Sequence, residues 1–283
     1  MSKRITLSMM LVLLASPAAT WAQTPACDAL PADRKVTVRE IFSTLHPYDG
    51  CDETFARCLA GKPPKAIVLR LASDICRQVK AGDDRKQVER SLTRRAQMML
   101  GSGQRATIAV DEATRAGAAQ APVEVVAYAC PRCPFCKDMV TDLYQAVTDG
   151  PLAGKARLYL RPFPLKTHAD STEGGLAMMS AAKLGHFWPF VLTLYKNFDS
   201  YCPKLLADWA VAAGMDRTAF ERAYADPKTR DALVASKQEG LRNKVSVTPT
   251  FFIDGRQYSY ELSREAVVDV VEEAYDSKAG PQR

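Results

Sequence analysis

Three cysteines in seven residues, Cys130-Pro131-Arg132-Cys133-Pro134-Phe135-Cys136, constrain this chain more than any other stretch. An apolar run, Val123 to Tyr128, leads into them, and a helical pattern, Phe135 to Val147, leads out. A C-x-x-C pair therefore sits at a strand-to-helix junction. Backbone N–H groups at a helix start favour a thiolate, and the second sulfur lies one turn further on. That is the minimum equipment for exchanging disulfides with another protein.

Both Cys130–Cys133 and Cys133–Cys136 have the right spacing, and proline separates them. A helix beginning at Cys130 would put Pro134 beyond the first free turn, where its missing N–H breaks a hydrogen bond. A helix beginning at Cys133 puts Pro134 in the first turn, where proline is tolerated. Cys133 and Cys136 are thus the expected catalytic pair. Cys133 is expected to be exposed, with a pKa lowered by backbone amides and Arg132, and Cys136 to be buried and to resolve the mixed disulfide.

Residues 1–22 read as a secretory signal: Lys3 and Arg4, an apolar core from Ile5 to Ala15, and a cleavage site at Thr20-Trp21-Ala22. The apolar core is too short to span a bilayer, which takes about 20 residues. The chain is therefore expected to be exported or periplasmic, with no stable membrane insertion. The net charge of +6 falls to +4 once Lys3 and Arg4 are removed, and charges of both signs are interspersed. That pattern excludes a nucleic-acid footprint. All eight cysteines follow residue 22, and in an exported chain an even count permits disulfides. Cys76 can pair with Cys27, Cys51 or Cys58. Cys51 and Cys58 can join only if Cys51 lies outside the following helix. Cys202 has no evident partner.

Residues 27–103 read as a small all-α domain. Short helices span Arg34 to Leu45 and a segment capped by Asp52. Two amphipathic helices follow, the first from Lys65 to Ala81. The second is capped by Asp83 or Asp84 and carries Val88, Leu92, Ala96 and Met99 on one side. Texture changes at Gly101-Ser102-Gly103. A second domain over residues 104–278 opens with a strand at Thr107 to Val110, then a small-residue linker from Arg115 to Ala121. The Val123 strand, the Phe135 helix and a strand from Arg157 to Leu160 make a β-α-β unit. A helical block from about Ser171 to Asn243 comes next. A hairpin of Thr250 to Ile253 with Arg256 to Tyr260, and a last helix from Arg264, complete the order. The fold class is α/β: a thioredoxin-like fold with an inserted helical subdomain, preceded by the all-α domain.

At this point residues 104–278 resemble the DsbA-like branch of the thioredoxin superfamily. Four stretches carry the resemblance: Pro122 to Lys137, Arg161 to His168, Gly185 to Trp188, and Val247 to Gly255. The resemblance implies a protein thiol–disulfide oxidoreductase acting on cysteine-containing proteins, with a redox partner protein and no cofactor. It aligns the family's C-P-aromatic-C with Cys133-Pro134-Phe135-Cys136. It makes Thr248-Pro249 a cis peptide facing the pair, and places Pro134, Phe135, Thr248 and Pro249 against substrate. Ala127 stands where many relatives carry an acid, with Glu124 three residues earlier, so proton handling at Cys136 falls to water or Lys137. Residues 65–100 resemble the helical hairpin of CcmH-type cytochrome c maturation proteins.

Cys130 occupies a place often held by aspartate. It is either a third redox thiol or a buried spectator. The rival class for the CxxCxxC cluster is a soft-metal protein holding copper or zinc; an iron–sulfur carrier lacks a fourth ligand nearby. His168 either touches substrate or makes a structural hydrogen bond. His46 and His186 read as structural, and Phe187, Trp188, Phe190, Leu194 and Tyr195 as core.

Overall fold

The computed structural model describes residues 24–279. The signal reading of residues 1–22 lies outside them. The described residues form two compact units that meet between Glu89 and Arg90, inside one helix.

The first unit is helical: α1 (Pro25–Asp28), α2 (Ala32–Thr44), α3 (Phe55–Ala60), α4 (Ala66–Ala81) and the start of α5 (Arg85–Leu100). One face of α4 buries Val68, Leu71, Ala72, Ile75, Cys76 and Val79, the positions its helical spacing predicts. Gly82 ends it at φ 112°, where its N–H reaches the Gln78 and Val79 carbonyls. Such a left-handed cap suits glycine, which has no Cβ to clash. The next helix starts from a reciprocal cap. The Gln87 N–H donates to Asp84 Oδ1 at 2.8 Å, and the Asp84 N–H donates to Gln87 Oε1 at 2.7 Å. Thr54, not Asp52, precedes the first residue of α3.

Disulfides join Cys27 to Cys76 and Cys51 to Cys58. Cys51 lies in the loop before α3, so the two Cα atoms of the second bridge are 6.0 Å apart. On one helix the same spacing would set them about 10 Å apart.

The second unit contains a five-stranded sheet in the order β1-β3-β2-β4-β5. Its strands are β1 (Arg115–Ala116), β2 (Val123–Ala129), β3 (Ala156–Pro162), β4 (Thr250–Ile253) and β5 (Arg256–Gln257). The central strand β2 runs parallel to β3 and antiparallel to β4. Alternation along β2 divides the core. Val123, Val125, Ala127 and Ala129 pack with α6 (Pro134–Thr148) and α12 (Arg264–Ala279). Val126 and Tyr128 pack on the other face with Tyr159, Phe163 and Phe252.

Between β3 and β4 lies the helical insertion: α7 (Ser171–Lys183), α8 (Phe187–Lys196), α9 (Leu206–Ala212), α10 (Arg217–Ala225) and α11 (Pro227–Arg242). The α11 helix approaches the Tyr128 face closely. A Cβ on Gly240 would stand 2.6 Å from the Phe163 ring. Phe187, Trp188, Phe190, Leu194 and Tyr195 are all core.

Two local readings are corrected. Thr107 to Val110 is not a strand. The Ala109 N–H instead donates to the Glu239 carboxylate at 2.9 Å, and the Ala106 N–H to the Gly255 carbonyl at 2.7 Å. The edge strand forms at Arg115–Ala116, inside the stretch read as a linker. On α5 the buried positions are Val88, Ser91, Arg95 and Met98, not the Leu92, Ala96 and Met99 face. The shift centres on Arg95, which is fully buried and pairs with Glu273 of α12 at 3.1 Å.

Candidate active site

The three clustered cysteines lie where β2 leaves the sheet and α6 begins. Cys130 to Cys133 is a turn closed by the Cys133 N–H on the Cys130 carbonyl at 3.2 Å. Cys133 is the N-cap of α6, and Pro134 is its first residue. Proline costs nothing there, since that N–H has no helical partner. Phe135 projects into solvent at 65% exposure, while Cys136 turns inward, fully buried.

Across from this helix start, the Thr248–Pro249 peptide is cis and leads into β4. The Cys133 Sγ lies 3.2 Å from the Thr248 carbonyl oxygen, a contact its thiol form makes as donor. This loop covers the sulfur. Cys133 is only 3% exposed, which corrects the expectation of an open thiol. Thr248 and Pro249 are themselves buried, and Val247 beside them is 65% exposed.

The two sulfurs are driven apart electrostatically. The Cys136 thiol donates to the Cys133 sulfur, and this hydrogen bond leads in lowering the Cys133 pKa to about 5. Burial opposes the shift; the backbone amides of Cys136 and Phe135 and the Thr248 side chain assist it. At neutral pH Cys133 is therefore a thiolate. Cys136 moves the other way, far above the ordinary thiol range, because burial and the neighbouring Cys133 disfavour its charge. Arg132 is not among the groups that lead this shift. Its guanidinium donates to the Phe198 carbonyl at 3.1 Å and stacks over the Phe198 and Tyr201 rings. Lys137 lies over the Phe198 ring and 3.9 Å from Asp199. Ala127 lies in the core with Cys136, and Glu124 pairs with Arg157 at 3.2 Å.

Cys130 is fully buried, and its Sγ sits 3.3 Å from His168 Nδ1. Thirty-eight residues separate the two, and no local pattern joins them. His186 meets the Ala213 carbonyl at 3.2 Å, a structural contact. Cys202 is unbonded and half-buried. Among the described residues no three Cys, His, Asp or Glu side chains converge as a metal-holding group. No described helix is long and apolar enough to cross a membrane.

The helix-start thiol pair, the facing cis proline and the inserted helical block together define a thioredoxin fold of the DsbA-like form. Residues 110–273 match the family model described as Thioredoxin, and the chain belongs to that family. Oxidised BdbD of Bacillus subtilis has a similar fold, with a TM-score of 0.52 at 16% identity, over 62% of this chain and 100% of that one. The catalytic domain of Proteus mirabilis ScsC gives 0.51 at 15% identity, over 66% and 98%. Wolbachia pipientis alpha-DsbA1 gives 0.50 at 20% identity, over 59% and 92%. Among curated proteins, the sodium/proton antiporter NhaA 3 of Salinispora tropica is 28% identical over 162 residues, which is 57% of this chain. The match spans only 24% of that antiporter's length.

The Cys133 shift makes stability depend on redox state and pH. A disulfide does not titrate, so the effect belongs to the reduced protein. The folded pKa of about 5 lies below the ordinary 9.0, so stabilisation is complete above pH 9 and lost as pH falls through about 5. Cys130 and Cys136 are raised, so below pH 9 both stay protonated, folded or unfolded, and cancel. Protein reduced only at Cys133–Cys136 should gain on its oxidised form between pH 5 and 8. The slope approaches about 1.4 kcal/mol per pH unit, read from urea midpoints. A gap that stays flat with pH would contradict the thiolate assignment.

Proposed function

We propose that this chain is an exported protein thiol–disulfide oxidoreductase working through Cys133 and Cys136. The observation that carries this reading is the Cys133 sulfur at the start of α6, 3.2 Å from the Thr248 carbonyl of the cis-proline loop, in a setting that lowers its pKa to about 5. The Cys133 thiolate attacks a substrate disulfide, giving a mixed disulfide and one substrate thiolate. Cys136 then attacks Cys133 and expels the second thiolate. In the opposite direction an oxidised Cys133–Cys136 bond accepts electrons from substrate thiols.

Substrate contact falls to Pro134, Phe135, Thr248 and Pro249. Phe135 and Val247 offer exposed apolar side chains on the two segments that bracket the sulfur. The cis proline leaves backbone free to pair with an extended, cysteine-containing polypeptide. A separate redox protein restores the pair after each turnover. The signal at residues 1–22, a helical domain over residues 27–103 and a thioredoxin domain over residues 104–278 belong to the same proposal.

The test has two arms. Reduced protein is treated with iodoacetamide at pH 6 and mapped by mass spectrometry; Cys133 should be labelled well before Cys130 and Cys136. The same protein should cleave insulin disulfides when reduced, and oxidise a reduced cysteine protein when oxidised. Inactivity in both directions defeats the proposal.

A further inference from the structure

Cys130 has what Cys136 lacks, an imidazole against its sulfur. The groups acting on Cys136 are burial, the Cys133 and Thr248 side chains and the Cys130 backbone. Around Cys130 stand His168 Nδ1 at 3.3 Å, the backbone amides of Leu165 and Arg132, and the Lys237 ammonium of α11. Lys237 also donates to the Pro164 carbonyl and lies 3.8 Å from the centre of the Phe163 ring, which fixes it on this side of the sheet. The Tyr195 hydroxyl of α8 donates to the Cys130 carbonyl at 3.3 Å and holds the turn. Burial and the nearby Cys133 push the Cys130 thiol up, against the amides and Lys237. A neutral thiol beside a base is the form from which a nucleophile is generated on demand.

The reach is right as well. Cys130 and Cys133 are the ends of a hydrogen-bonded turn. Turn ends lie within about 7 Å at Cα, and disulfides form over roughly 4.4–6.8 Å. Cys133 therefore has a possible partner on each side.

We propose that Cys130, with His168 as its base, is a second resolving thiol that closes a Cys130–Cys133 disulfide. This rests on the reading of Cys133 as the attacking thiolate. His168 Nδ1 takes the Cys130 proton. The Cys130 thiolate attacks Cys133 Sγ of the mixed disulfide, the bond from Cys133 to substrate breaks, and the departing substrate thiolate takes up a proton. Two electrons pass from the Cys130 and Cys133 thiols to the substrate disulfide, which leaves as two thiols. Cys136 stays reduced throughout.

The experiment uses the full chain with its two other disulfides intact and insulin as the substrate disulfide. Cys136→Ser should form a mixed disulfide that decays, with a Cys130–Cys133 disulfide appearing in the peptide map. In Cys130→Ser/Cys136→Ser the mixed disulfide should persist, with decay slowed at least a hundredfold. His168→Ala in the Cys136→Ser background should slow closure about tenfold or more. Added imidazole should restore part of that rate, since His168 is only half-buried. A purely structural role for His168 would show no such rescue. If Cys136→Ser traps substrate as durably as the double variant, the inference is overturned while Cys133 keeps its role. If Cys133 forms no mixed disulfide in any variant, both readings fall together.

Discussion

Serine in place of Cys133 is expected to lower disulfide exchange on the order of a thousandfold or more, in either redox direction. In the proposed mechanism the substitution removes the atom that bonds to substrate, and a serine hydroxyl cannot take its place. The Cys136 hydrogen bond, with the helix-start amides, brings a thiol there down to about 5 but leaves an alcohol protonated. Cys136→Ser acts on a different step. It spares the first attack and removes one of the two resolving thiols, so protein bound to substrate should build up transiently and then decay through Cys130. Insulin turbidity with non-reducing gels separates the two outcomes. Full activity in Cys133→Ser, with loss in Cys130→Ser, would move the reactive thiol to the other end of the turn.

The second large effect is on stability. Arg95→Met should destabilise the second unit by about 3–5 kcal/mol, because it removes the cation that a buried Glu273 carboxylate pairs with. The Arg95 side chain is fully buried, and two of its three guanidinium nitrogens, Nη2 and Nε, donate to Glu273 Oε2 at 3.1 and 3.4 Å. It also lies 5.6 Å from the Tyr260 ring centre. The double variant Arg95→Met/Glu273→Leu should recover most of the loss, since replacing both charges with apolar groups removes the desolvation cost as well. Urea midpoints followed by tryptophan emission read this directly. A single variant as stable as the parent would mean that the carboxylate finds water or another cation.

Why Arg95 escaped sequence reading is instructive. A basic residue on an amphipathic helix reads as solvated, which puts the expected stripe on Leu92, Ala96 and Met99. Its acidic partner lies 178 residues away, and no periodicity reports such a pairing. The edge strand was missed for a related reason. Arg115–Ala116 is two residues long and holds its place by pairing with Tyr159 and Leu158, not by any pattern of its own. Where local chemistry decides the outcome, the reading was closer. Pro134 fixed the start of α6, and the apolar run of β2 and the amphipathic spacing of α4 and α6 marked those elements. The apposition of Thr248 and Cys133 came only through family resemblance. Cys130 was visible as an extra thiol, but the ring beside it was not.

The helical unit carries its own disulfides, Cys27–Cys76 and Cys51–Cys58, in a chain proposed to exchange such bonds. Cys27 and Cys76 are 5% and 0% exposed, and Cys58 is 6% exposed. Exchange requires an attacking sulfur to reach a disulfide sulfur along its bond axis, so a bridge walled in by side chains is protected kinetically whatever its potential. The Cys27–Cys76 bridge meets that condition, whereas Cys51 of the second bridge is half-buried. Cys133 and Cys136 are no more open, at 3% and 0%, so it is the low Cys133 pKa of about 5, favouring the reduced pair, that should let a mild thiol open a Cys133–Cys136 bond before the bridges of the first unit.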